Sequence, residues 1–152
     1  MPIRSATLDD IPTMIAIGRE MHEESVFSPY SFDIPTLTLL MSRLIKGDHG
    51  IALVEEVDGV VVGGFLGVVW PHFFGPDLQA SDLALFIRPE YRGGSAGFRL
   101  IRAFITEAKA RGAAQVVLAN STGIQPERVA GLFERVGLRQ VGYVYSLNLK
   151  GE

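Results

Sequence analysis

A chain of 152 residues, 47% hydrophobic and 20% charged, has the size and composition of one folded domain spanning residues 1–152, which excludes wholesale disorder. A net charge of −3 lacks the basic excess of a general nucleic-acid binder, and the absence of cysteine excludes disulfides, a cysteine nucleophile and thiolate metal sites. Three scattered histidines (His22, His49, His72) suggest no metal site, Met1-Pro2-Ile3-Arg4 is not a secretory start, and the longest apolar stretch, Val60 to Trp70, is too short and glycine-broken to span a bilayer, so a cytoplasmic protein with neither nucleic-acid nor membrane partner is expected.

Ile3 to Ala6 reads as a short strand. Asp9 is expected to cap the first helix, with Pro12 in its first turn and Ile11, Met14, Ile15, Gly18 and Met21 at helical spacing. Ser25 to Phe32 reads as a loop. Asp33 caps a second helix whose buried face is Leu37, Leu40, Met41, Leu44 and Ile45, ended by Gly47. Ile51 to Val57 and Val60 to Trp70 form a hairpin around the turn signal Asp58-Gly59. Gly63, Gly64 and Gly67 predict a bulge or a close approach in its second strand. Pro71 to Gln79 reads as an aromatic-rich loop, and Asp82 to Arg88 as a strand stopped by Pro89. A long helix follows from about Gly97 to Arg111, with Phe98, Ile101, Phe104, Ile105 and Ala108 inward. Gln115 to Ala119 is apolar and reads as a central strand. Pro126 opens a last helix with Val129, Leu132, Phe133 and Val136 inward, and Leu138 to Leu149 reads as one or two strands. Strand–helix–strand implies a right-handed parallel crossover, and the tight hairpin implies antiparallel pairing. The fold class is therefore α/β (α+β), a single-domain mixed β-sheet with helices on both faces.

The segment from Leu83 to Gly97 carries the chemistry. A strand ends at a proline, then Arg92-Gly93-Gly94-Ser95-Ala96-Gly97 turns tightly into a helix. Such a turn leaves backbone N–H groups pointing one way, and the helix dipole adds positive character, which suits phosphate oxygens. Arg92 and Arg99 can add charge-assisted contacts. The glycines alone are equally compatible with a plain turn. No Lys-Ser or Lys-Thr follows them, and the spacing is not that of a dinucleotide-binding loop.

With these features the chain resembles the GNAT superfamily of N-acetyltransferases over nearly its whole length, and most closely its prophage-type members. Arg92 to Gly97 is similar to the family's Gln/Arg-x-x-Gly-x-Gly/Ala pattern, with Ser95 in place of a glycine. The opening from Ile3 to Ile11, the strand end from Ile87 to Tyr91, and Leu132 to Leu138 resemble the family in the right order. The resemblance implies a central β-α-β unit that binds acetyl-CoA (coenzyme A) as acyl donor. Its strands Leu83–Arg88 and Gln115–Ala119 would splay apart to admit pantetheine against the backbone of Phe86 and Ile87. Arg92, Gly93, Gly94, Ser95, Ala96 and Gly97, with Phe98, would hold the cofactor, backbone N–H groups would steady the oxyanion, and an amine would attack the thioester directly.

Two departures from the family bear on mechanism. Phe133 stands where many members carry a tyrosine acid, so Tyr143 or Tyr145 is the candidate substitute, or the thiolate leaves unaided. Ala84 stands where members often carry a glutamate, which leaves Asp82 as the candidate base, with a solvated strand-end aspartate as its plainer reading. Glu127 also replaces a frequent asparagine. Tyr30, His72 and Phe73, with Phe27, Phe32 and Phe74, are candidates for an aromatic acceptor pocket, or for caps on a core edge. Glu23 and Glu24 could face the acceptor, with a solvated helix end as their plainer reading, and Asn120, Ser121 and Thr122 could meet cofactor or substrate, or equally be turn formers. The acceptor is expected to be a small-molecule or protein amine, and a homodimer is expected because exposed strands and aromatic loops are readily covered by a twin. The alternative is a coenzyme A-binding or sensing module that has lost the chemistry.

Overall fold

The computed structural model describes residues 3–151; Met1, Pro2 and Glu152 lie outside the described residues. Strand β1 (Ile3–Ser5) leads through a 3-10 turn, Leu8–Asp10, into helix α1 (Ile11–Glu24). The helix start differs from the prediction, because Asp10 and not Asp9 is drawn inward. The Asp10 carboxylate accepts from the Thr7 backbone N–H at 2.7 Å and from Arg4 at 2.8 and 3.0 Å, while Asp9 remains exposed. The Arg4 guanidinium holds the Asp10 carboxyl down to about 2. Helix α2 (Ile34–Lys46) starts as predicted, with Asp33 accepting from the Thr36 N–H at 2.9 Å. Its buried residues are Met41 and Leu44, whereas Leu40 faces solvent.

Strands β2 (Gly50–Val57) and β3 (Val60–Pro71) form the predicted hairpin. Asp58 and Gly59 have φ of 51° and 79°, the left-handed pair that this two-residue turn requires. Strand β4 (Leu78–Ile87) begins well before the predicted Asp82, because Leu78 to Ser81 find partners on β3. The loop therefore shrinks to His72–Asp77. Helix α3 (Ala96–Ala110) buries Leu100, Ile101, Phe104 and Ala108, while Phe98 is only half-buried and does not belong to that stripe. Strand β5 (Gln115–Val117) is shorter than predicted, and helix α4 (Pro126–Arg135) completes the described helices.

The sheet order is β1-β2-β3-β4-β5, antiparallel throughout except for the parallel β4–β5 pair. Strand alternation divides the core. Ala52 and Val54 face α1 and α2, where they meet Met14, Ile17 and Phe86; Ile51 and Leu53 face α3, where they meet Leu100, Ile101 and Phe104. The sheet is thus mixed, with helices on both faces, as predicted. The bulge expected in β3 falls at Val62, beside Gly63, where the register against β2 shifts between Glu55 and Glu56; a second irregularity leaves Leu83 of β4 extra opposite Leu66 and Gly67, and Gly67 itself meets a close approach. A Cβ on Gly67 would lie 2.4 Å from a ring carbon of Phe104, which stacks on Phe65 with centroids 4.2 Å apart.

Two sequence expectations change at the C-terminal side. β5 was expected to be central, yet it is an edge strand whose residues are half-buried or exposed. Leu138 to Leu149 was expected to form strands; it carries no strand pairing, and Tyr143, Tyr145 and Leu147 are largely exposed. Among the described residues no helix is long and apolar enough to cross a membrane.

Two stability predictions follow from these contacts. Asp10→Asn should lower unfolding free energy by about 1–2 kcal/mol, the range for a charge-assisted bond and a helix-start acceptor. Because the folded carboxyl is depressed, its contribution is full above the ordinary aspartate range and is lost as pH falls toward about 2. Urea titrations at stepped acid pH should therefore show the wild type converging on Asp10→Asn. Gly67→Ala should destabilise by about 1–3 kcal/mol through overpacking against Phe104 and the Ser81 carbonyl, read in the same assay.

Candidate functional site

The glycine-rich turn is anchored at its start by one arginine. After Ile87 the chain makes a 3-10 turn, Pro89–Tyr91, and reaches Arg92. Arg92 donates from Nε to the Ile87 carbonyl at 2.9 Å and from Nη1 to Glu24 Oε2 at 2.8 Å. That ion pair holds Glu24 below the usual carboxylate range and ties it to the loop, so it is neither the free solvated helix end expected nor the alternative, an acceptor-facing residue. Gly93 has φ of 86°, a conformation that favours glycine, and the Arg128 guanidinium lies over it, with Nη2 2.5 Å from where a Cβ would stand. Gly94 faces open space, with only the Tyr91 carbonyl within 4 Å of a would-be Cβ.

The turn presents bare donors. Arg92 N–H donates to Pro89 O and Arg99 N–H to Ser95 O, but among the described residues no backbone N–H from Gly93 to Phe98 finds an acceptor. These donors sit at the N-terminus of a 15-residue helix, where the dipole reinforces them. A polyphosphate fits this cradle. Individual residues differ from expectation in how they contribute. Ala96 and Gly97 are buried, and a Cβ on Gly97 would press on Leu132 and Ile87 at 3.1 and 3.4 Å, so Gly97 permits packing of α3 against α4 and β4. Arg99 is committed elsewhere: Nε donates to Glu55 Oε1 at 2.7 Å, and the guanidinium also reaches the Ser95 hydroxyl. Phe98 carries the guanidinium groups of Arg102 and Arg135 on its ring, at 5.7 and 5.3 Å. Glu55, Arg128 and Arg135 are site residues that sequence reading missed. They lie on other elements, and no local pattern marks them.

Beside the loop, β4 and β5 part company. Their pairing covers only Gln79–Ser81 against Gln115–Val117. At the next residue the Asp82 side chain spans the opening, and Oδ1 accepts from the Ala119 N–H at 3.1 Å. Burial pushes the Asp82 carboxyl up, and that hydrogen bond opposes the rise. Beyond Asp82 the outer edge of β4 is open. Because the Arg88 N–H donates to Val62 O, alternation along the ladder turns the backbone groups of Phe86 toward β3 and those of Leu85 and Ile87 outward. Ile87 thus turns its N–H toward the gap, its carbonyl being taken by Arg92 Nε. Phe86 does not; it contributes a buried ring, 2% exposed. On the far side, Asn120 Nδ2 donates to the Pro126 carbonyl at 2.8 Å, while its Oδ1 is buried without a partner. Ser121 is half-buried; Thr122 is a turn former, its hydroxyl accepting from Ile124 N–H and its carbonyl from Val26 N–H.

The predicted aromatic pocket separates into two groups. Tyr30 stacks on Phe27 in the α1–α2 connection, which the Val26–Thr122 bond ties to the glycine-rich-turn end of the sheet. His72 stacks on Phe74 at the tip between β3 and β4, with Phe73 91% exposed. That tip adjoins the start of β4, and the glycine-rich turn follows its end, about 30 Å away along a ten-residue strand. His72 and Phe73 therefore do not share a site with the loop, whereas Tyr30 lies on its side of the fold. Tyr143 and Tyr145 are exposed and pack on each other, at 6.4 Å between centroids; Phe133 packs half-buried against the α3 side of the core. Among the described residues no cluster of three acidic or histidine side chains is placed to hold a metal ion.

Comparison with known proteins places this geometry. Solved structures share the fold at low identity. A predicted acetyltransferase from Clostridium acetobutylicum, solved with acetyl-CoA, is 16% identical with a TM-score of 0.76, covering 97% of this chain and 96% of that one. An aminoglycoside acetyltransferase from an uncultured soil metagenomic sample is 20% identical with a TM-score of 0.72, covering 97% of each chain. A transcriptional regulator from Bacillus halodurans is 18% identical with a TM-score of 0.78, covering 97% of this chain and 98% of that one. No curated protein matches the sequence. The family match itself spans residues 18–138, from the middle of α1 past the end of α4, and by it the chain belongs to the acetyltransferase (GNAT) family.

Proposed function

We propose that this protein transfers an acetyl group from acetyl-CoA to an amine. The observation that carries the reading is the run of unpaired backbone N–H groups from Gly93 to Phe98, set beside the open edge of β4. Those donors receive the pyrophosphate, and the outward backbone groups of Leu85 and Ile87 align the pantetheine arm. Acetyl-CoA supplies an activated thioester, so that a C–N bond to the amine forms as the C–S bond breaks and the thiolate leaves. Asp82, at the start of the gap, takes the proton of the incoming ammonium; its raised affinity for a proton suits that task. The outward Leu85 N–H is the donor for the developing oxyanion. Phe133 has no proton to give, and within one chain Tyr143 and Tyr145 lie exposed on a segment unpaired with the sheet. The thiolate therefore leaves without a side-chain acid from this chain's core.

Two variants test the reading. Calorimetric titration should show acetyl-CoA binding to the wild type, competition by desulfo-coenzyme A and no binding of ATP. Gly94→Glu should weaken acetyl-CoA binding at least tenfold, since its side chain enters the open cradle with negative charge. Unchanged affinity would remove the loop from the site. Asp82→Asn keeps an acceptor for the Ala119 N–H but loses the base. With an amine that turns over, kcat/KM should drop by about 10²–10⁴. The wild-type acid limb should lie above the ordinary aspartate range and vanish in the variant. An unaltered pH profile would exclude Asp82 as the base.

A further inference from the structure

One amine of this chain lies on the side of the fold where the sheet opens. Lys150 Nζ donates to the Pro29 carbonyl at 3.2 Å, so the segment after α4 returns to the α1–α2 connection. Three contacts fix that connection beside the opening. Arg92 of the glycine-rich turn pairs with Glu24, where the connection starts. The Val26 N–H donates to the Thr122 carbonyl at 2.9 Å, and the Val26 side chain lies against Gly123, 2.6 Å from where a Cβ would stand. Pro29 is three residues beyond Val26, next to Tyr30. Thr122 is three residues beyond Ala119, whose N–H meets Asp82 where β4 and β5 part. A turn presents the lysine: Lys150 N–H donates to Asn148 Oδ1 at 3.0 Å, and Asn148 Nδ2 donates to the Gly151 carbonyl at 3.0 Å. Lys150 is exposed. Among the described residues no backbone N–H from Arg139 to Leu149 donates to another backbone carbonyl, so no ladder opposes a shift of this segment toward the gap.

The chain's two other lysines stand at the opposite end of the fold. Lys109 is in the last turn of α3, about 20 Å along the helix from the glycine-rich turn. Lys46 ends α2, two residues before Asp48, whose carbonyl accepts from Arg111 just past the end of α3. We infer that the protein acetylates its own Lys150, within one chain. The inference rests on the acyl-transfer reading and supplies an acceptor for it, a lysine ε-amine carried on the C-terminal segment. Asp82 takes one proton from the Lys150 ammonium, and Nζ attacks the acetyl carbonyl. The C–N bond forms as the C–S bond breaks, and the second nitrogen proton neutralises the departing thiolate. A tethered amine reacts at high effective concentration, without the cost of association. The product is a neutral amide that keeps an N–H for the Pro29 carbonyl. Modification thus removes a positive charge beside the opening while the contact can persist.

Incubation of the whole protein with saturating acetyl-CoA, followed by peptide mapping by mass spectrometry, tests it. Lys46 and Lys109 serve as internal measures of uncatalysed acetylation. Lys150 should be acetylated at least tenfold faster than either, at a rate per chain that dilution of the protein leaves unchanged. Gly94→Glu should bring Lys150 down to the rate of the other two. Equal rates at the three lysines, in a wild type that binds acetyl-CoA by calorimetry, would overturn this inference and leave the acyl-transfer reading standing. So would a Lys150 rate proportional to protein concentration, which would place the reaction between copies. Selectivity for Lys150 that survives Gly94→Glu would overturn it as well, since the amine would then be reactive without the cofactor site. A wild type that does not bind acetyl-CoA would overturn the acyl-transfer reading and this inference with it.

Discussion

The ion pair between buried Glu55 and the partly exposed Arg99 is the constraint on which the site depends. Glu55 sits on β2, with no exposed surface, in the face that carries Leu53 and Ile51. A carboxylate there is costly unless a cation meets it, and among the described residues the guanidinium that does belongs to the first turn of α3. The pair therefore ties the sheet to the helix that begins at the glycine-rich turn. Because Arg99 also reaches the Ser95 hydroxyl, the turn is oriented by the same contact. Ser95, a departure from the family pattern, is thereby part of the strut.

The remaining fixed points act on the same short stretch from different sides. Arg92 joins the end of β4 to the end of α1, Arg128 closes over Gly93 from α4, and Gly97 lets Leu132 pack against the helix start. Each contact uses a side chain, so the backbone N–H groups of the turn are left bare while the turn itself is rigidly placed. That is the arrangement an anion site requires: donors that are ordered before the ligand arrives. The gap between β4 and β5 has an equally local cause. Ladder pairing ends at Ser81, and Asp82 replaces the next backbone bond with a side-chain bond to Ala119. A residue whose carboxylate holds the opening is thus also the one whose proton affinity burial has raised.

The opposite end of the architecture is governed by what is missing from it. An edge strand with interior composition, a helix that buries no residue fully and an alternating exposed segment are each unfavourable alone. Together they leave the apolar surface on this side of the sheet less covered than that beside α1 and α3. The mixed sheet is therefore well packed at Phe65 and Phe104 and under-covered at Val117, a gradient across the sheet from β3 to β5.

Local pattern sufficed for the helices, the Asp58-Gly59 hairpin and the glycine-rich turn, because spacing, caps and turn residues act within a few positions along the chain. It also sufficed to place Asp82 on the strand that runs into the turn, since that is a matter of order along the chain. Tertiary structure alone decided that Glu55, Arg128 and Arg135 surround that turn, that Phe98 leaves the core stripe, and that His72 and Phe73 part from Tyr30 by the length of a strand. It alone left Leu138 to Leu149 without a partner, although the alternation there is plain in the sequence. The physical reason is common to all of these. Periodicity states which face of an element is apolar, but which neighbour covers that face, or whether the same chain supplies one, depends on contacts between residues far apart in sequence.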